Sequence, residues 1–354
     1  MTNNKLPTLA VVGATGAVGT VMCELLTSRE NKFGEIKLLA SSRSVGRKVT
    51  VRGEQVVIEE LSPEAFDGVD IAMFVSTDDI SREFAPVAAE RGAVAVDNSQ
   101  VFRMDPDVPL VVPEINPEQA RNRPRGIIAN ANCTTLTMIV AIAPLHREYG
   151  LRELVVSSYQ AASGAGQAGA DVLHDQLSKV AGDRSIGSRP GDIRQAIGDD
   201  TGPFPAPLAL NVVPWAGSLK DEGWSSEELK IRNETRKILG LPDLKVSSTC
   251  VRVPVVTGHS VAVHAIFGSE VTAEGARQAL RGAPGVILVD DPAAGEFPTP
   301  ADAVGTDPSW TGRIRRSLDD PRALDLFVSG DNLRKGAALN TLQIAELVTA
   351  DLPT

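Results

Sequence analysis

The sequence predicts an α/β domain built on a parallel sheet, followed by an α+β domain with longer strands of alternating polarity. Three observations carry this expectation. The chain has 354 residues, more than one hydrophobic core usually organises. Its first third alternates short, wholly apolar runs with helical patterns, the signature of strands covered on both faces. Beyond about residue 150 the runs lengthen and alternate with period two, which reads as antiparallel sheet. The expected division is 1–132, completed by a C-terminal helix over 337–354, and 133–336.

Thr8 to Val12 is the first strand. Gly13-Ala14-Thr15-Gly16-Ala17-Val18-Gly19 follows, and then a helical pattern through Val21, Met22, Leu25 and Leu26. Strand, glycine loop and helix together form the opening of a dinucleotide-binding fold, in which backbone N–H groups meet a pyrophosphate at a helix N-terminus. Ile36–Ala40, Val56–Ile58, Ile71–Val75, Val94–Val96 and Ile127–Ala129 are further strands, and 81–91 is a helix with Ser81 as its cap. The segment after the second strand selects the cofactor. An NAD site would place Asp or Glu there for the ribose hydroxyls, whereas this chain has Ser41, Ser42 and Arg43. Hydroxyls and a guanidinium suit a 2′-phosphate, so NADP is expected.

In the second half, 154–159, 208–213, 246–256 and 260–267 read as strands, and 167–180 and 225–239 as helices. Ser225 and Glu228 sit at capping-box spacing. The Gly-, Asp- and Pro-rich stretch 181–207 and the Pro/Ala-rich stretch 290–307 are expected to be surface loops without chemistry. Ala337 to Leu352 closes the chain as a helix.

Cys133 lies where a strand-like run ends and a helix begins. A helix N-terminus favours thiolate over thiol and can hold an oxyanion, so Cys133 is a candidate nucleophile. A lone cysteine is equally well a small buried hydrophobe. Among the four histidines, His146 and His174 read as surface groups and His264 as a core or interface residue. His259, in Thr257-Gly258-His259-Ser260, is the best candidate acid/base, at a glycine-loosened bend between strands. Arg252 shares a strand face with Cys250 and needs an anion, either a structural carboxylate or a substrate one. Glu227 and Lys230 form an i,i+3 pair on a helix, and Arg103 has no role readable from position alone.

Composition excludes several classes. The formal charge is −10 with no basic run, which argues against nucleic acid and anionic membranes. Three cysteines fit reduced thiols in a cytoplasmic protein better than a disulfide framework, and no CxxC pair suggests a metal. The start of the chain reads as a first strand, not a signal peptide, and no apolar run is long enough to span a bilayer.

Eight ordered segments resemble the aspartate-β-semialdehyde dehydrogenase family: 13–19, 40–49, 97–116, 126–135, 155–166, 227–230, 250–260 and 329–340. Gln100 departs from the small hydroxyl of many relatives. The resemblance implies a Rossmann-type domain joined to a mixed-sheet catalytic and dimerisation domain like that of glyceraldehyde-3-phosphate dehydrogenases, in a homodimer. It further implies Cys133 as nucleophile, His259 as acid/base and Gln160 as an orienting amide. Arg252 would bind the substrate α-carboxylate, Glu227 its amino group, and Arg103 and Lys230 phosphate. Ser163, Gly164 and Asn332 would join the glycine loop and Ser41 and Ser42 in holding NADP. The implied reaction converts L-aspartyl 4-phosphate and NADPH to L-aspartate 4-semialdehyde and phosphate, in lysine, threonine, methionine and isoleucine biosynthesis. N-acetyl-γ-glutamyl-phosphate reductase, the nearest rival, places its cysteine after glycine, where this chain has Asn132.

Overall fold

The computed structural model describes residues 6–352, so the ends of the expected first domain, 1–5 and 353–354, lie outside the described residues. The chain folds as two compact units. One takes in Met1–Asn132, Lys237–Gly240 and Leu333–Thr354, the other Cys133–Arg236 and Leu241–Asn332.

The first unit begins β1 (Leu9–Val12), α1 (Ala17–Ser28), β2 (Ile36–Ala40), β3 (Lys48–Val51), β4 (Glu54–Glu60), β5 (Ile71–Phe74) and α2 (Asp78–Glu90). It continues with β6 (Val94–Asp97), β7 (Leu110–Val111) and β8 (Ile127–Asn130). Its sheet runs β3-β4-β2-β1-β5-β6-β8-β7, parallel except where β3 opposes β4. Every residue of β1, β5, β6 and β8 is buried, and apart from Asp97 and Asn130 at the ends of β6 and β8 all are apolar, which is why they appear in the sequence as short apolar runs. The strand order reverses between β1 and β5, so the loop after β1 opens at a topological switch point, where such sheets bind ligands. The helix over 81–91 begins earlier, at Asp78 after Thr77, and Ser81 lies inside it. Asp78 and Asp79 in the first turn supply the negative charge that a helix N-terminus favours.

The second unit holds α3 (Cys133–Tyr149), β9 (Leu151–Gln160), α4 (Gln167–Val180), α5 (Asp192–Ile197), α6 (Ser226–Leu239, all but its last three residues), β10 (Lys245–Arg252) and β11 (His259–Phe267). After them come α7 (Ala273–Leu280), β12 (Val286–Leu288), α8 (Pro300–Ala303), β13 (Ser309–Arg316) and β14 (Ala323–Gly330). The last helix, α9 (Leu339–Thr349), follows a π-helical turn at Arg334–Ala338 and packs Leu339, Leu342, Ile344 and Val348 into the core of the first unit with Leu9, Met22, Leu25 and Val96.

The second sheet, β10-β9-β11-β14-β13-β12, is mixed where alternation alone suggested antiparallel pairing. β9 and β10 are parallel, as are β12 and β13. Such pairs need long crossovers, and α4, α5 and α6 supply the one between β9 and β10. Residues 208–213 form no strand. Leu210 takes φ 57°, and of that stretch Val213 alone bridges to β10, at Arg252. The strand expected to reach residue 256 ends at Arg252, before Pro254 removes a ladder donor. The stretch 181–207 is not a featureless surface loop: it contains α5, and Ile197 and Phe204 are buried with Leu173, Val180 and Leu208. Residues 290–307 contain the short α8. The capping box at α6 is formed, with Ser225 N–H donating to Glu228 Oε2 at 2.8 Å and Glu228 N–H to Ser225 Oγ at 3.3 Å.

Candidate active site

Cys133 is the first residue of α3 and half-buried. Its Sγ lies 3.3 Å from His259 Nε2. His259 opens β11 and is fully buried. The bend before it requires Gly258 at φ 98°, a left-handed conformation that costs other residues energy. Asn332 Oδ1 accepts the Gly258 N–H at 2.8 Å and holds that bend. The other ring nitrogen, Nδ1, accepts the Ala161 N–H at 3.0 Å. A neutral ring bonded this way carries its hydrogen on Nε2.

Burial drives the His259 pKa from 6.5 down to about 3, with the Arg252 charge adding to the effect and Glu227 opposing it. The neutral form is therefore favoured in the folded state, and between those two values the unfolded chain binds the extra proton. Stability then rises with pH across this window and is lost as pH falls. Urea unfolding at pH 7 and pH 5 should show wild type losing about 2 kcal/mol more than His259→Gln on acidification. Equal losses would mean that the ring titrates normally.

Parallel pairing of β9 with β10 sets Gln160 opposite Arg252. Gln160 is fully buried and donates from Nε2 to Thr134 Oγ1 at 2.8 Å. Its Oε1 has no protein partner, so an acceptor remains for a ligand. Arg252 is only 7% exposed. Its Nη1 donates to the Ala161 carbonyl at 2.8 Å, and its backbone N–H and C=O both pair with Val213. Arg252, Glu227, Gly164, Phe204 and Trp215 line a cavity of about 470 Å³. Glu227 binds Lys230 at 2.6 Å, a partly buried pair, so the carboxylate and ammonium expected to serve amino group and phosphate neutralise each other here. Arg103 belongs to the first unit, where its Nη2 donates to the Asn98 carbonyl at 2.8 Å.

The glycine loop fits a pyrophosphate. A Cβ on Gly13 would stand 2.7 Å from the Val75 carbonyl oxygen, and one on Gly19 would collide with the Gly13 carbonyl. A Cβ on Gly16 would meet only the Gly13 carbonyl, at 3.6 Å. Gly16 is the N-cap of α1 and no side chain caps that helix, which leaves its first N–H groups to an anion. Ser41, Ser42 and Arg43 are exposed on the turn after β2, as a 2′-phosphate contact requires. In the second unit Ser163 and Asn332 bond each other, Nδ2 to Oγ at 3.0 Å.

Sequence reading missed Thr134, Ala161, Phe204 and Trp215. Thr134 could have been suspected from its place beside Cys133. Ala161 acts through its peptide group, Phe204 sits in a stretch that reads as loop and Trp215 in one with no element assigned, so none of the three had a signal in the sequence.

Residues 8–123 match the family described as semialdehyde dehydrogenase, NAD binding domain, and residues 142–335 match its dimerisation domain. Aspartate-semialdehyde dehydrogenase of Corynebacterium melassecola is 49% identical over 97% of this chain and 99% of its own length. That of Bacillus subtilis is 44% identical over 96% of each. The crystal structure of aspartate semialdehyde dehydrogenase II from Vibrio cholerae, complexed with ASA, superposes with a TM-score of 0.91 at 39% identity, covering 99% of this chain and 100% of that one. The Candida albicans enzyme with NADP superposes at 0.73 and 25% identity, over 98% and 99%.

Proposed function

Because this chain belongs to the aspartate-semialdehyde dehydrogenase family, we propose that it makes L-aspartate 4-semialdehyde from L-aspartyl 4-phosphate through a thioester on Cys133, with NADPH as reductant. The route serves lysine, threonine, methionine and isoleucine synthesis in the cytoplasm. The observation that carries the reading is the 3.3 Å approach of Cys133 Sγ to His259, in the unit that also buries Gln160 and Arg252.

Cys133 Sγ attacks the acyl carbon. The C–S bond forms, the bond to phosphate oxygen breaks, and the electron pair leaves with phosphate. N–H groups at the start of α3 meet the oxyanion, Arg252 takes the α-carboxylate, and the free Gln160 Oε1 orients the substrate. Glu227 receives the amino group, Lys230 and Arg103 serve phosphate, and His259 is the acid/base that manages the proton beside the sulfur. Gly13 to Gly19, Ser41, Ser42 and Arg43, with Ser163, Gly164 and Asn332, would hold NADP. When bound, the reduced nicotinamide supplies the hydride that takes the thioester to the aldehyde level.

A homodimer completes the proposal. On the face of the second sheet away from α3, Val155 and Tyr159 are exposed, beside Ala262, His264 and Phe327. A sheet face of this kind, with apolar residues around the His264–Asp325 pair, suits a second subunit.

Purified protein given aspartate semialdehyde, phosphate and NADP⁺ should generate NADPH absorbance; its absence would overturn the reading. Arg43→Ala should lower kcat/KM for NADP⁺ about tenfold, the worth of one charge-assisted contact, and leave NAD⁺ kinetics unmoved. Equal use of both nucleotides by wild type would remove the case for a 2′-phosphate site.

A further inference from the structure

We propose that Lys237 is a positioning residue for phosphate, because its ammonium ties down three backbone carbonyls between Arg103 and Val108 and so fixes where the Arg103 guanidinium can sit. This rests on the reading of Arg103 as a phosphate ligand in the proposed reaction. Lys237 heads the short stretch Lys237–Gly240 that belongs to the first unit, as Arg103 does. Its Nζ donates to the Arg103 carbonyl at 2.8 Å and to those of Asp105 and Val108 at 2.7 Å each. Three acceptors match the three hydrogens that an ammonium offers. A lysine in the last turn of a helix ordinarily serves that helix's own final carbonyls. This one is turned instead to a loop that carries a proposed ligand.

The loop has little of its own to hold it. Between β6 and β7 the chain forms turns and bends, closed by Asp105 N–H donating to the Phe102 carbonyl at 3.1 Å and Val108 N–H to the Asp105 carbonyl at 3.2 Å. Pro106 and Pro109 bring no N–H, so the segment is poor in donors for its own carbonyls, and Lys237 supplies them. The Asp105 carboxylate pairs with Arg125, whose guanidinium also lies over the Phe102 ring, 5.4 Å from its centroid. Those contacts hold two side chains, whereas Lys237 holds the backbone.

Arg103 depends on that backbone. It is buried, and its Nη2 donates to the Asn98 carbonyl at 2.8 Å, so the guanidinium has little room to search for an anion. A guanidinium meets phosphate with two parallel N–H groups, and the fit depends on the plane and place of the fork. Displacing such a clamp by about 1 Å lowers rates by as much as about a hundredfold. A lysine that merely stabilised the first unit would behave differently. Its loss would loosen the glycine loop of the same unit and raise KM for NADP⁺ together with that for phosphate, whereas loss of an anchor at Arg103 moves phosphate alone.

Initial rates with aspartate semialdehyde, NADP⁺ and phosphate each varied test this. Lys237→Met keeps the stem and removes the donors. It should raise KM for phosphate about tenfold and leave KM for NADP⁺ and for the semialdehyde within about twofold of wild type. Arg103→Ala should raise phosphate KM as well, and adding Lys237→Met to it should change that value by less than about twofold, since the anchor then has nothing to position. Should the methionine variant not fold, Lys237→Gln, with two N–H donors in place of three, should raise phosphate KM about threefold. An unchanged phosphate KM in the variant that folds, a parallel rise in KM for NADP⁺, or full additivity with Arg103→Ala would overturn the proposal. Absence of turnover by wild type would instead remove the proposed function. Line broadening of inorganic phosphate in ³¹P spectra by wild type but not by Lys237→Met would then still show the anchor, and equal broadening by both would exclude it.

Discussion

Cys133→Ala should reduce phosphate-dependent oxidation of aspartate semialdehyde to background, a loss on the order of 10⁴-fold or more in kcat, because no other group of the site can hold the acyl intermediate. Cys23 and Cys250 cannot substitute for it. Both are buried, and desolvation pushes their thiols up to about 11 and about 12, so neither supplies thiolate near neutrality. Cys133 is half-buried, and the variant should unfold in urea close to wild type, which separates lost chemistry from lost fold. Turnover in Cys133→Ala at even one-tenth of wild type would end the nucleophile assignment.

Arg252→Leu should lower kcat/KM for the semialdehyde by about 10³-fold, mainly through a higher KM. Removing one partner of a buried, hydrogen-bonded charge contact costs roughly 2–5 kcal/mol. KM for NADP⁺ should move far less. The same change strips the Ala161 carbonyl of its charged donor, so a stability loss of about 1–3 kcal/mol is expected in urea. Arg252→Lys keeps the charge but not the fork that binds a carboxylate bidentately, and should recover only part of the affinity. Unchanged substrate kinetics in Arg252→Leu would leave this guanidinium a structural group alone.

Residue pattern made the parallel sheet of the first unit legible, because strands covered on both faces must be apolar throughout. Gly13 to Gly19 was legible because only glycine tolerates such close backbone approach. Helix α4 and the α6 capping box were legible from local chemistry, as was the position of Cys133 at a helix start. The pairing of β9 with β10 was not. Parallel and antiparallel neighbours bury the same side chains, and only the long crossover through α4, α5 and α6 decides between them. The stretch 208–213 looked like a strand because alternation is blind to one residue at positive φ.

Local order along the chain thus determined which residues carry reactive groups: a thiol at a helix N-terminus, an imidazole after a glycine, a guanidinium in a strand. Tertiary structure alone decided what those groups are able to do. Cys133, the Gln160–Ala161 pair and the segment holding Arg252 and His259 are far apart in sequence, and the pairing of β9 with β10 and β11 together with the placement of α3 brings them within hydrogen-bond reach. The ring's tautomer depends on the N–H of Ala161, whose methyl side chain says nothing of it. A backbone donor has no identity in the sequence, and its effect exists only once the fold has aimed it.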